Sequence, residues 1–162
     1  MRFKGNLTSA VPAAIIGILA MGLPHTAVAA TATAPIAVSA TVQATCIVST
    51  TAMSFGTYTG TALPATSTVT VQCTNTTGYT LGLNAGAATG ATVTNRSMTG
   101  PASALLGYGL YTDSAHATNF ATLASTNGTG SPIVTTIYGQ VAAGQYVAPG
   151  AYTDTITATV TY

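Results

Sequence analysis

Few side chains in this sequence could carry out acid–base or nucleophilic catalysis. Beyond residue 29, the ionisable groups other than tyrosine and cysteine are His116, Asp113, Asp154 and Arg96. A glycosidase would have to use the two aspartates as its pair of carboxylates, and a serine hydrolase would need His116 as its base. No GxSxG sequence is present, and the stretch YTDSAHATN around Asp113 and His116 is typical of a polar turn after a strand. We therefore expect the protein not to be an enzyme.

Asp154 is in phase with the apolar residues of the closing stretch YTDTITATVTY. A carboxylate on an apolar face must either stay near water or find a partner. Arg96 is the only basic side chain beyond residue 4, so it is the only cation that could form that pair. An Asp154–Arg96 pair and a solvated surface aspartate are the two interpretations.

The first residues have the order of a secretory signal peptide. Arg2 and Lys4 supply positive charge, an apolar run follows from Ala13 to Leu23, and small residues come next. The run is too short to predict a membrane span. We expect a signal peptide at residues 1–29, with cleavage after Ala29 or, alternatively, one residue later.

The two cysteines are Cys46 and Cys73. In an exported chain an even number of cysteines favours a disulfide, and two free buried thiols are the alternative. With one histidine beyond residue 29 they do not supply the ligands of a zinc site. No strand, glycine-rich loop and helix follow one another in the way that phosphate binding requires. We therefore expect no metal and no cofactor.

The charge beyond residue 29 is very low, since one arginine and two aspartates give a side-chain net charge of 1 − 2 = −1. One arginine cannot form a basic surface for nucleic acid, so no nucleic-acid partner is expected. A net charge near zero favours association between copies.

Short runs of alternating apolar and polar residues fill the rest of the chain, and turn residues separate them. The alternation predicts strands in STVTVQCT, GYTLGLNAG, LLGYGLYTD and SPIVTTIYGQV, and a last strand from near Tyr152. The first alternating pattern runs from Ile36 to Val48, which is longer than a usual strand. Seven or eight short strands without helical periodicity predict an all-β sandwich.

Several of these stretches together resemble the spore coat protein U domain family, which includes the subunits of archaic chaperone–usher pili. They are CIVSTTAMSFGTYTG, STVTVQCTNTTGYTLGLNAG, NRSM, LGYGLYTD and, most specifically, IYGQVAAGQYVAPGAYTDTITATVTY. The resemblance extends from about Ile36 to Tyr162, and the two cysteines fall where the family has its disulfide. Many members carry a tryptophan after the LY.D segment; here Phe120 takes that place.

This resemblance implies an all-β, incomplete immunoglobulin-like β-sandwich that a donor strand from a neighbouring subunit completes. After the signal peptide expected at 1–29, it implies a donor-strand extension at 30–43 and a pilin domain at 44–162. The expected donor-strand residues are Ile36, Val38, Ala40 and Val42. The expected residues of the acceptor groove and chaperone contact are Ile156, Ala158, Val160 and Tyr162.

The function that the resemblance implies is that of a structural subunit of a secreted fibre, used for adhesion or biofilm formation. Its partners would be copies of itself or related pilins, a periplasmic chaperone and an outer-membrane usher, and it would pass through the periplasm to the cell surface. One domain with an extension favours a shaft or adaptor subunit. The alternatives are a spore-coat or other surface protein of the same fold and a secreted carbohydrate-binding module.

Overall fold

A computed structural model describes residues 28–162, so the signal peptide expected at residues 1–29 lies outside the described residues except for its last two positions. The chain divides into two units, Met1–Ser39 and Ala40–Tyr162. In the first unit, residues 28–39 are exposed and contain no helix or strand. Over the described range, no helix is long and apolar enough to cross a membrane.

The second unit is built almost entirely of β-strands. The strands are β1 (Cys46–Thr50), β2 (Leu63–Cys73), β3 (Gly78–Leu83), β4 (Arg96–Thr99), β5 (Leu105–Tyr111), β6 (Thr126–Asn127), β7 (Ile133–Val141) and β8 (Ala158–Thr161). One short 3-10 turn, Pro101–Ser103, connects β4 to β5. The predicted all-β fold is confirmed.

Two antiparallel sheets form the sandwich. The larger sheet has the strand order β1-β2-β7-β5-β4, and the smaller sheet has the order β6-β3-β8. Every neighbouring pair of strands is antiparallel. This order places β1 at one edge of the larger sheet and β8 at one edge of the smaller sheet.

The core consists of the inward-facing residues of the alternating strands. These residues are Val69, Val71, Cys73, Tyr79, Leu81, Leu83, Leu106, Tyr108 and Leu110, together with Ile137 and Val141 of β7, and all of them are buried. Phe120 is fully buried among them. The period-two pattern therefore identified the buried face of β2, β3 and β5 correctly, because successive side chains of a strand point to opposite sides of its sheet.

The structure differs from the predicted strands at the end of the domain. The first strand begins at Cys46, close to the start of the pilin domain expected at 44–162, whereas the last one begins at Ala158 rather than near Tyr152. Residues 152–157 keep the alternation of exposure, but they cross between the sheets. Thr153 pairs with Thr99 at the end of β4, whereas the backbone of Thr157 is bonded to Asn84 after β3. A crossing segment cannot follow one partner strand, so its regular pairing is short.

The disulfide between Cys46 and Cys73 is present, and the alternative of two free thiols is wrong. The two cysteines lie opposite each other in the register of β1 and β2. The bond therefore ties the edge strand β1 to its only neighbour at the point where the domain begins.

Reduction of this disulfide should destabilise the protein. The bond joins cysteines 27 residues apart, and closing a loop of that length contributes about 3–4 kcal/mol to the free energy of unfolding. We expect the melting temperature to fall by roughly 10 °C or more on adding dithiothreitol. A Cys46→Ser/Cys73→Ser variant should melt at the lowered temperature with or without the reductant. An unchanged melting temperature of the reduced protein would contradict the expected role.

Candidate functional site

An open groove runs along the second unit between the segment that follows β1 and the segment that precedes β8. It has a volume of about 510 Å³. Met53 and Phe55 line one side, residues 152–156 and Ala158 line the other, and buried residues such as Val69 and Ile137 form its floor. A second hollow of about 830 Å³ continues from it between residues 53–60 and 145–152.

The backbone at the β8 side of the groove has an unpaired edge. Asn84 N donates to the carbonyl oxygen of Thr157 (3.2 Å), and Thr157 N donates to Asn84 Oδ1 (2.9 Å). Alternate residues of an antiparallel strand direct their backbone groups to the same neighbour. The backbone N–H and C=O groups of Thr159 and Thr161 therefore point to β3. The N–H and C=O groups of Ile156, Ala158 and Val160 therefore point to the free edge, where a further strand could pair with them.

Three of the four predicted acceptor residues pack against the core. Ile156, Ala158 and Val160 are partly buried and contact the core cluster, and the first two line the groove. Tyr162 differs from them, since its side chain is 59% exposed. The apolar side chains and the unpaired backbone groups thus belong to the same residues.

The four predicted donor residues are all exposed. The exposed fractions of Ile36, Val38 and Val42 are 88%, 89% and 84%, and Ala40 is exposed as well. None of the four lies in a strand. A row of large apolar side chains in water is unfavourable, and such a surface usually marks an interaction site.

The wall opposite β8 comes from residues that sequence reasoning did not single out. Met53 and Phe55 extend from the end of β1 over Gly139 of β7, where a β-carbon would overlap both side chains. Phe55 also meets the ring of Tyr108 edge-on, with the ring centroids 5.8 Å apart. The alternation in the stretch AMSFG was the signal available for these residues, but its short length and flanking turn residues obscured it.

Asp154 holds the crossing segment in place. Its Oδ2 accepts a hydrogen bond from Tyr108 Oη (2.7 Å), and its Oδ1 accepts bonds from the backbone N–H groups of Ala87 and Thr155 (both 2.7 Å). Burial raises the pKa of the Tyr108 hydroxyl, and the hydrogen bond to Asp154 and its negative charge raise it further. The aspartate is therefore neither a solvated surface residue nor bonded to Arg96.

Arg96 is fully buried and donates its hydrogen bonds to backbone carbonyls. Nε donates to the carbonyl of Asn84 (2.9 Å), Nη1 to that of Val93 (2.5 Å), and Nη2 to those of Phe120 (2.9 Å) and Leu83 (3.4 Å). Burial lowers the pKa of the guanidinium, while Tyr108 and Asp154 act in the opposite direction through their charge. The only arginine of the domain thus connects three loop segments behind the groove.

The other catalytic candidates lie in a turn after β5. The Asp113 carboxylate accepts hydrogen bonds from the N–H groups of Ala117 (3.1 Å) and Thr118 (2.8 Å), and these bonds lower its pKa. His116 meets the ring of Tyr111 edge-on. Asp113 and Asp154 therefore bind different parts of the backbone. Residues 28–162 contain no cluster of three or more side chains able to hold a metal ion.

A comparison with protein families identifies the domain. The sequence model of the Spore Coat Protein U domain matches residues 32–159. The chain belongs to this family. The expected resemblance is thereby confirmed over nearly the whole described range. No curated protein matches the chain.

The fold of this Spore Coat Protein U domain is similar to that of a solved pilus complex. The similar chain comes from the pre-assembly complex of CsuC and CsuE, a chaperone and a tip adhesion subunit, from the archaic chaperone–usher Csu pili of Acinetobacter baumannii. The TM-score is 0.55 at 21% sequence identity, and the match covers 75% of this chain. It spans 40% of the other chain, less than half its length, so the likeness concerns the fold.

The raised pKa of Tyr108 predicts a specific alkaline sensitivity. In the folded domain its pKa lies above the ordinary value of about 10. The stability that it contributes is therefore complete below about pH 10 and is lost as the pH rises from there toward the folded-state pKa. The free energy of unfolding of Tyr108→Phe should fall less steeply above pH 10 than that of the unmodified protein.

Urea denaturation between pH 9 and 11.5 measures this slope. Tyr146→Phe is the matched control, because Tyr146 is 94% exposed and should leave the slope unchanged. Parallel curves for Tyr108→Phe and the unmodified protein would contradict the assignment.

Replacement of Arg96 by lysine should be strongly destabilising despite the retained charge. An ammonium group cannot reproduce the planar guanidinium's bonds to four carbonyls. Buried carbonyls without partners should lower the free energy of unfolding by about 2–4 kcal/mol. Urea denaturation at pH 7 measures the effect, and a loss below about 0.5 kcal/mol would show that water or lysine replaces these bonds.

Proposed function

We propose that this protein is a structural subunit of a secreted fibre, an archaic chaperone–usher pilus, which serves adhesion or biofilm formation. In this proposal, residues 30–43 of one subunit enter the groove of the next subunit as its missing strand. The observation that carries the proposal is the free edge of β8 beside an apolar groove, in a chain whose other end has exposed, alternating apolar residues.

The acceptor side favours strand addition for two physical reasons. An incoming strand would pair with the backbone groups of Ile156, Ala158 and Val160, and main-chain hydrogen bonds supply affinity in this kind of recognition. Its inward side chains would cover the partly buried side chains of the same residues. The main-chain hydrogen bonds require an extended segment, and the apolar contacts require that its residues alternate between apolar and polar.

The extension fits this requirement in spacing and length. Ile36, Val38, Ala40 and Val42 are each two residues apart, so their side chains would point to one face of a strand, as those of β8 do. Fourteen residues, 30–43, span about 46 Å when extended, whereas residues 152–161 span about 33 Å. The extension is therefore long enough to cover the whole acceptor edge.

The domain begins immediately after the extension. Thr74 N donates to the carbonyl oxygen of Thr45 (2.9 Å), and Thr45 N donates to Thr74 Oγ1 (3.3 Å). The disulfide follows at the next residue, Cys46. A pulling force along the fibre would pass from the donor strand into the domain at this cross-linked point.

Assembly of such subunits would need a periplasmic chaperone and an outer-membrane usher. An unpaired edge beside exposed apolar surface promotes aggregation, so a chaperone would cover the groove until the donor strand arrives. The similar fold was solved in a complex of a chaperone with a tip adhesion subunit. Donor-strand addition joins different surfaces of neighbouring subunits, and such contacts extend into a fibre. A subunit with its own extension suits a shaft or adaptor position.

A charge on the inward face of the extension should abolish assembly. In Val38→Asp a carboxylate would have to enter an apolar groove without a partner, which is very unfavourable. Ser39→Asp is the matched control, because the neighbouring side chain would point out of the groove. Each full chain would be co-produced with a periplasmic chaperone and run unboiled on a denaturing gel after the chaperone is removed.

We expect a heat-sensitive ladder from the unmodified chain and from Ser39→Asp, and none from Val38→Asp or from a chain without residues 31–41. A stable, soluble monomer from all four chains would refute the fibre. It would favour a surface or coat protein, or a carbohydrate-binding module, whose groove is covered in another way.

A further inference from the structure

The two methionines of the described chain both line the groove. The sequence has four methionines, and two of them, Met53 and Met98, fall within residues 28–162. Both line the 510 Å³ groove and also the 830 Å³ hollow that continues from it. Met53, Met98, Phe55 and Tyr152 therefore form the junction between the two cavities.

An oxygen atom added to the sulfur of either methionine would disturb the packing around it. Met53 comes from the segment after β1, and its sulfur and terminal methyl group occupy the space left by the absent side chain of Gly139. Met98 is in β4 opposite Leu106 of β5. Both side chains are partly buried against the core, so they are reachable from the groove yet need apolar surroundings.

Thioethers are also the most readily oxidised groups in this part of the protein. Both cysteines are joined in the disulfide, and the chain has no tryptophan. Peroxides convert methionine to its sulfoxide, which is polar and chiral and disturbs apolar packing. An oxidant that reaches the open groove would therefore act first on Met53 and Met98.

We propose that Met53 and Met98 form a peroxide-sensitive site whose oxidation prevents the groove from accepting a strand. This inference rests on the function proposed above. A lone pair of the methionine sulfur attacks one oxygen of hydrogen peroxide; the S–O bond forms as the O–O bond breaks, and water leaves. The products are methionine sulfoxide and water, so the peroxide is reduced as the thioether is oxidised.

A methionine sulfoxide would be more unfavourable in the filled groove than in the open one, because of the hydrogen bonds that its oxygen needs. In the open groove a sulfoxide oxygen can be hydrated. A seated donor strand would remove that water and bring only apolar side chains, such as those of Ile36 and Val38, so the oxygen would lose its hydrogen bonds. Oxidation before assembly therefore blocks the strand, and a strand already in place shields both sulfur atoms.

The first measurement compares rates of oxidation by dilute hydrogen peroxide. The Val38→Asp full chain supplies the open groove, and the assembled fibre supplies the filled one. Peptide mass spectrometry should show Met53 and Met98 oxidised at least tenfold more slowly in the fibre. Equal rates in the two states would overturn the proposal.

The second measurement tests the consequence for assembly. Unmodified subunits that are freed of the chaperone in urea, treated there with peroxide and then diluted to assemble should lose the heat-sensitive ladder at least tenfold, and methionine sulfoxide reductases A and B should restore it. Met53→Leu/Met98→Leu conserves volume and should assemble with or without peroxide; the single variants serve if the double variant does not fold. Full assembly of oxidised unmodified subunits would overturn this inference alone, whereas failure of untreated subunits to assemble would refute the proposed function.

Discussion

The unpaired edge of β8 is the feature on which the rest of the structure depends. Backbone N–H and C=O groups require partners, and an edge strand beside an apolar cleft presents both polar and apolar surface that a further strand could satisfy. The five-stranded sheet carries its own free edge at β1. The groove lies between the end of β1 and the segment that leads into β8, so an added strand would lie between the free edges of the two sheets.

Hydrogen bonds within the domain hold the segments that surround the groove. Arg96 connects the carbonyls behind the groove, and Asp154 joins the crossing segment to Tyr108 and Ala87. Among the described residues, no buried polar side-chain atom lacks a hydrogen-bond partner. A satisfied polar network of this kind favours one arrangement of the backbone around the groove.

The distribution of charge suits a protein that packs against its own copies. Arg96 is buried and Asp154 is engaged at the groove, so Asp113 supplies the remaining formal side-chain charge of the described domain at neutral pH. Threonines occupy much of the outer face, including the exposed side of β8. In the proposed fibre, neighbouring subunits could therefore approach without strong repulsion between like charges.

The sequence by itself determined the features that depend on local periodicity. The period-two pattern identified the all-β class and the buried faces of β2, β3 and β5, since a strand's facing is set by its own residues. The family motifs pointed to the disulfide and to the two segments proposed as donor and acceptor. The even number of cysteines, taken with the expected signal peptide, agreed with the bond that the structure contains.

Only the tertiary structure decided the features that depend on which segments become neighbours. The carbonyls bound by Arg96 belong to Leu83, Asn84, Val93 and Phe120, and no local pattern links these residues to one guanidinium. The sequence likewise did not predict the crossing of residues 152–157 or the position of Met53 over Gly139. Strand alternation records which side of a sheet a residue faces, but the packing of two sheets determines what it meets there.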